Sequence, residues 1–403
     1  MRNMSNSHIE IFRNIRYARA RRFEQPEVLP WDGVRNTERG PLCPQAPSRL
    51  ALVQGPLAPL AMDEHCQVLS VFTPATQGKR PVMVFFHGGA FVSGGGELPW
   101  HDGDKLAAEQ DVVMVSVTYR LGVFGYFQPS GGADPSPGMG DQVASLQWIK
   151  ANIASFGGDP DNVTVFGQSA GGASIDTMLA WGHGGKLFER AILQSGTNAL
   201  ALTRAEVDKT SQQFVAELGH DPQGASVDDL LAAQGRLARK LNRLIPWSAV
   251  LPETPTGSAV DVIAGWCRDD ALPFVLLQKN EKAVPGTEAR YLDETREMNT
   301  LLWEGGSRTL AREITEKGRR ACLYRFDWKA PASGLGACHC IELPFLLGSQ
   351  EAWRAAPALA GADWAEIESI GKRMRKIWAD FARGGHTDTA WSTDAVRVLP
   401  DKG

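Results

Sequence analysis

The residues with the clearest chemical potential lie in one decapeptide, Val163-Thr164-Val165-Phe166-Gly167-Gln168-Ser169-Ala170-Gly171-Gly172. A β-branched run, a Gly-x-Ser-x-Gly turn and a helical pattern follow one another, which is how a strand passes into a helix through a sharp turn. In such a turn the serine takes a strained backbone conformation. The flanking glycines are needed because side chains there would collide with the neighbouring strand and helix. Ser169 is therefore the candidate nucleophile. It also stands at a helix N-terminus, where backbone N–H groups and the helix dipole favour developing negative charge.

A serine hydroxyl becomes a useful nucleophile only when a histidine takes its proton and a carboxylate orients that histidine. Behind an elbow of this kind the chain order is serine, acid, histidine. Four histidines follow Ser169: His183, His220, His339 and His386. His339 sits in Gly336-Ala337-Cys338-His339-Cys340, a small-residue loop after the strand-like Leu323-Tyr324-Arg325-Phe326, and is the preferred base. His386 follows the last helix and ranks second, while His183 and His220 lie in polar turns and read as solvated. The strand-like Val260–Trp266 leads into Cys267-Arg268-Asp269-Asp270, and strand ends carry functional groups in such sheets. Asp270 is the preferred acid, Asp269 the second, with Glu288 and Asp293 more distant alternatives.

Ester cleavage builds negative charge on the carbonyl oxygen, so backbone donors must be preorganised around it. The run Val82–Phe86 leads straight into His87-Gly88-Gly89-Ala90-Phe91. Gly88 and Gly89, with Ala170 after the nucleophile, are the candidate oxyanion donors. The run Gly94-Gly95-Gly96 lacks the Lys-Ser/Thr pair of a phosphate cradle and is expected to be a mobile loop.

The elements around these motifs alternate. Strand patterns over Gln67–Thr73, Pro81–Phe86, Asp111–Tyr119 and Asn162–Phe166 are interleaved with helical patterns over Gln142–Phe156 and Ala173–Ala180, and an amphipathic helix runs from Trp364 to Arg383. This alternation implies an α/β class with a mostly parallel central sheet flanked by helices. With the elbow it points to the α/β-hydrolase fold, built as one domain over 1–403. A reduced helical cap is expected at roughly 200–245 and 290–318.

Hydrophobic residues make up 43% of the 403 and charged residues 22%, enough to bury a large core. The formal charge of −4 supplies no basic surface for phosphates, so nucleic acid is not an expected partner. No run approaches a membrane span and residues 1–15 have no apolar signal core, so the chain reads as cytoplasmic and without a membrane partner. Six cysteines are too sparse for a disulfide scaffold. Cys338-His339-Cys340 has no second ligand pair nearby, so no metal and no cofactor are expected.

Over nearly its whole length the chain resembles the type-B carboxylesterase and cholinesterase-like family. Ordered matches carry the resemblance: Arg22-Phe23, Trp31-Asp32-Gly33-Val34, Cys43-Pro44-Gln45, Val71-Phe72-Thr73-Pro74, His87-Gly88-Gly89-Ala90-Phe91 and Tyr119-Arg120-Leu121-Gly122. They continue through Asp141-Gln142, Asn152-Ile153, Phe156-Gly157-Gly158-Asp159-Pro160, the elbow, Leu193-Gln194-Ser195-Gly196 and Glu342-Leu343-Pro344-Phe345. The resemblance implies Ser169 as nucleophile, His339 as base, and Gly88, Gly89 and Ala170 around the oxyanion. Three departures stand out. Asp269-Asp270-Ala271 replaces the usual Asp-Glu-Gly, so the shorter Asp270 requires a closer loop. Gln168 replaces the usual Glu before the nucleophile. The chain is also shorter than most members before Ile245-Pro246 and between Asp270 and His339, which implies a more open substrate gorge. Cys43 and Cys66 match positions that secreted members join as a disulfide.

The leading function is carboxylic-ester hydrolysis of a small-molecule substrate through an acyl-enzyme. The same machinery serves amide, carbamate or lactone cleavage, and a non-catalytic binding module is the alternative from another class. Trp100, Trp247 and Phe274 lie near motif loops and are candidate substrate-binding residues. Physiological ester and oligomeric state are left open by the sequence.

Overall fold

The computed structural model describes residues 9–129, 135–242, 246–385, 392–393 and 395–399. Nine strands form its central sheet: β1 (Glu10–Arg16), β4 (Val68–Thr73), β5 (Arg80–Phe86), β6 (Val113–Val117), β7 (Gly158–Gln168), β8 (Arg190–Gln194), β9 (Asp261–Cys267), β10 (Ala321–Phe326) and β11 (Val396–Leu399). A two-stranded ribbon, β2 (Ala18–Arg19) and β3 (Glu27–Val28), stands apart. The spatial order is β1-β4-β6-β5-β7-β8-β9-β10-β11. Every pairing from β6 through β10 is parallel, and β1, β4 and β11 add antiparallel edges.

The alternation along each central strand sends side chains to two cores. Val82, Val84, Phe86, Val163, Val165, Leu193 and Ala264 join one buried cluster, while Met83, Phe85, Phe166, Ile192 and Ile263 join the other. Helices therefore have to cover both faces. Ala170–Ala180 and Pro137–Asn152 pack against β7, and Gly305–Glu316 lies against β9 and β10. Asp104–Gln110 and the long Trp364–Gly384 contact strands from the opposite face. The sequence-based strands and helices in this part of the chain fall within a few residues of the observed ones.

β1 is absent from the sequence reading for a physical reason. A bulge at Asn14, φ 53°, shifts the register between Phe12 and Ile15 and breaks the two-residue alternation. The region 200–245 contains the helices Arg204–Leu218 and Val227–Leu241, and 290–318 contains a continuous run from Leu292 to Glu316 with a π-helical turn at Thr300–Glu304. The expectation of a mobile glycine loop at 94–96 is corrected. A Cβ on Gly95 would stand 2.3 Å from Leu42, and one on Gly96 would stand 2.5 Å from the Val117 backbone, so these glycines permit tight packing. All six cysteines are buried free thiols, with Cys43 and Cys66 in side-chain contact. No helix among the described residues is long and apolar enough to cross a membrane.

One buried ion pair braces the loop after β6. Arg120 donates through Nε and Nη2 to Asp141 at 2.8 and 2.7 Å, and its backbone N–H adds a third bond at 3.0 Å. Both side chains are shut off from solvent. The neighbouring Tyr119 hydroxyl donates to the His87 carbonyl at 2.6 Å, so this brace reaches the glycine turn at the end of β5. Removing one partner leaves the other charge buried without compensation. Asp141→Ala is expected to lower the unfolding free energy by about 3–5 kcal/mol in chemical denaturation, and a loss under about 1 kcal/mol would contradict the bracing role.

Candidate active site

Ser169 caps the helix Ala170–Ala180 with φ 57° and ψ −123°, a conformation strained for any residue with a side chain. The turn that imposes it has no room for side chains. A Cβ on Gly171 would lie 1.9 Å from the Phe86 carbonyl oxygen, one on Gly167 would lie 2.6 Å from the Gly171 backbone, and one on Gly172 would lie 2.8 Å from Gly196 O. The Ser169 N–H donates to Gln194 O of β8 at 2.8 Å, which anchors the elbow to the neighbouring strand. Ser169 and Ala170 both line an open cavity of about 630 Å³.

The loop after β5 approaches the elbow as closely as glycine allows. A Cβ on Gly88 would lie 2.8 Å from Gln168 O, and one on Gly89, φ 111°, would lie 1.8 Å from Ser93 O. Among the described residues, the N–H groups of Gly88 and Gly89 have no protein acceptor. Behind them His87 stacks on Tyr119 with ring centroids 4.3 Å apart. Burial, with His101 nearby, pushes His87 down to about 3, so this imidazole stays neutral near neutral pH.

Asp270 and His339 meet where β9 and β10 end. His339 Nδ1 lies 2.8 Å from Asp270 Oδ1, and both side chains are fully buried. The second carboxylate oxygen accepts the Cys267 N–H at 2.7 Å. The neighbouring aspartate binds the histidine loop directly. Asp269 exchanges backbone contact with the histidine loop, donating to Ala337 O at 2.9 Å, and its carboxylate accepts the Ala337 N–H at 2.8 Å. Asp269 thus fastens the loop and Asp270 reaches the ring. Glu288 pairs instead with Lys329 at 2.8 Å, and Asp293 lies exposed on the surface. His183 and His220 make no contact with this cluster, and His386 lies outside the described residues.

Of the three candidate substrate residues, Phe274 lines the cavity and sits 5.2 Å from the His339 ring. The other two are corrected. Trp247 is 1% exposed and packs in an aromatic cluster with Phe127 and Phe214, because the segment after the cap helices folds inward there. Trp100 stacks on Trp353 at 5.5 Å and donates to Ala352 O; it is absent from the lining of the large cavity and borders a separate small pocket that it shares with Gly88, Gly89 and Gln168.

Several residues at this site carry no signal in the sequence. Asn299 clamps the acid loop, accepting from Ala271 N at 2.7 Å and donating to Arg268 O at 2.7 Å. Trp303, on the π-helical turn, lies 5.1 Å from the His339 ring. Arg49 is the charged side chain among the described residues lining the cavity; Leu277, Met298 and Leu302 help make the opposite wall apolar. A strained serine at a helix N-terminus, with a buried His–Asp pair reached through the residue before it, sits at one end of an α/β-hydrolase sheet.

A profile of the carboxylesterase family matches residues 1–296, and the chain belongs to that family. It is 34% identical to a probable N-octanoylanthranilate hydrolase of Rhodococcus erythropolis, over 95% of this chain and 91% of that protein. It is also 34% identical to the para-nitrobenzyl esterase of Bacillus subtilis, over 91% and 83% respectively. A solved thermophilic PNB esterase superposes with TM-score 0.81 at 27% identity, covering 99% of this chain and 95% of the other. The protein is a carboxylesterase that hydrolyses ester bonds.

Behind Asp270, Glu342 is fully buried, and its Oε2 accepts the Tyr324 hydroxyl at 2.7 Å. Burial pushes this carboxyl up to about 8, and the charge on Asp270 adds to the push. In the unfolded chain it ionises near 4.5. Between those two values the native state holds a proton that the unfolded state has lost, so the contribution to stability is full below about 4.5 and falls as pH rises towards about 8. Glu342→Gln cannot ionise. Its melting temperature relative to wild type should therefore rise between about pH 5 and about pH 9, and a constant difference would contradict the buried neutral acid.

Proposed function

We propose that Ser169, His339 and Asp270 form the catalytic triad of this esterase, with Gly88, Gly89 and Ala170 supplying the oxyanion hole. The observation that carries the reading is the fully buried 2.8 Å contact between His339 Nδ1 and Asp270 Oδ1 beside the strained elbow. Asp270 accepts the Nδ1 hydrogen and leaves the Nε2 lone pair to act as base. Ser169 Oγ attacks the ester carbonyl, its proton passes to Nε2, and the carbonyl oxygen becomes an anion held by the three amides. Collapse breaks the bond to the alcohol oxygen, which takes the proton from Nε2. Water, deprotonated by the same nitrogen, then attacks the acyl-enzyme, and the acid leaves as Ser169 regains its proton.

The substrate is a small-molecule ester with an apolar acyl or aryl part. Phe274, Leu277, Met298 and Leu302 offer one greasy wall, and Ala199, Ala201 and Ala238 help line the rest of the cavity. Such lining rewards hydrophobic contact, while Arg49, Thr197 and Gln278 place polar groups around the same cavity. Hydrolysis of an N-acyl bond is the second reading, supported by the likeness to the N-octanoylanthranilate hydrolase. A shared triad serves both leaving groups.

A fluorophosphonate probe should label Ser169 and nothing else in the intact chain. Ser169→Ala should abolish both labelling and turnover of p-nitrophenyl esters. Asp270→Asn should reduce kcat by about 10⁴-fold, the scale known when the orienting carboxylate of a serine triad becomes an amide. A loss of only a few-fold would assign the acid to another residue. Comparing p-nitrophenyl octanoate with the octanoyl anilide decides between the ester and N-acyl readings.

A further inference from the structure

The ring nitrogen that must take the serine proton has another partner. His339 Nε2 lies 3.2 Å from Nε2 of Gln168, the residue immediately before the nucleophile. Among the described residues, no hydrogen bond joins it to Ser169 Oγ. Gln168 is 1% exposed and His339 fully buried, so the contact is sheltered from water. The other end of the carboxamide is also engaged: Cys340 Sγ donates to Gln168 Oε1 at 3.3 Å.

These contacts leave little freedom. With Oε1 accepting from the thiol, the end facing the ring is the amide nitrogen, which can only donate. A ring nitrogen that accepts is unprotonated, and the ring hydrogen then sits on Nδ1, where Asp270 accepts it. We infer that Gln168, oriented by Cys340, is a positioning residue that fixes the His339 ring as the Nδ1–H tautomer with Nε2 as the acceptor. The inference rests on the reading of His339 as the base.

The chemistry distinguishes glutamine from glutamate at this position. An amide N–H directed at Nε2 donates to the lone pair of the Nδ1–H tautomer. A carboxylate would accept from a protonated Nε2 and favour the imidazolium, which cannot take a proton from serine. In the first catalytic step Ser169 O–H replaces the Gln168 N–H at the same lone pair, an exchange of one neutral donor for another. The titratable groups around the ring are Asp270 on the loop after β9, Cys338 and Cys340 on either side of it in the chain, and Ser169 on the elbow. Glu342 and Cys267 lie beyond, facing Asp270. Phe274 and Trp303 close the ring off from the helical wall and bring no charge.

The test is the pH dependence of kcat and KM for a p-nitrophenyl ester, with thermal melts to establish that each full-length variant is folded. Gln168→Glu should move the acid-side pH of half-maximal kcat/KM upward by about one unit or more. Gln168→Met, close in shape but without a donor, should lower kcat by roughly 3- to 10-fold with KM little changed. Cys340→Ala should give a smaller loss of the same kind, and Cys340→Ser should restore it. An acid limb in Gln168→Glu that superposes on wild type, or a Gln168→Met enzyme with wild-type kcat, would overturn the inference. If Gln168→Glu does not fold, the Met variant decides the matter alone. His339→Ala separates the two levels: retained turnover defeats the base assignment itself, whereas its loss together with unaltered Gln168 variants defeats only the role given to glutamine.

Discussion

The contact on which this structure turns is between the Phe86 carbonyl and the backbone of Gly171, so close that a Cβ would lie 1.9 Å from the oxygen. It joins the end of β5 to the first turn of the helix behind Ser169. The strands before them are adjacent and parallel, pairing Phe86 with Gly167. The glycine turn after β5 and the elbow after β7 therefore emerge side by side at one end of the sheet, so close that a Cβ on Gly88 would lie 3.0 Å from the Ser169 Cβ. Strain at Ser169 is held by the surrounding ladder, through its bond to Gln194 and the packing of Gly172 on Gly196. A backbone conformation of this kind persists only where the surrounding structure over-determines it.

The second half of the site is assembled by loops rather than by ladder geometry. Two adjacent aspartates divide the work after β9. Asp269 ties its loop to the histidine loop through backbone bonds, and Asp270 spends its carboxylate on the ring and on Cys267 N–H. With the two loops joined in this way, the Asp270 carboxylate reaches His339 Nδ1 at 2.8 Å. Asn299 completes the arrangement from the helical wall that also brings Trp303 against the imidazole.

How much of this was legible in the sequence follows from how local each cause is. The elbow, the strand before it and the glycine turn after β5 are written in contiguous residues, because steric exclusion and alternation act over a few positions. β1 escaped because a bulge at Asn14 breaks its alternation. Trp100 and Trp247 were placed by proximity to motifs along the chain, whereas their burial is decided by Trp353, Phe127 and Phe214, distant in sequence. Asn299 and the Gln168–His339 contact depend on three segments meeting in space. The glycines at 94–96 show the converse error, since a run that reads as flexible is a set of close packing contacts.

The central claim is that Ser169 carries the acyl group between two half-reactions. The most direct measurement is rapid-quench peptide mass analysis during turnover of a slowly deacylated p-nitrophenyl ester. The account predicts an acyl mass increment on the peptide containing Ser169, formed as fast as p-nitrophenol is released and decaying at the steady-state rate. Undiminished turnover with no increment there, or with the increment on another side chain, would contradict it.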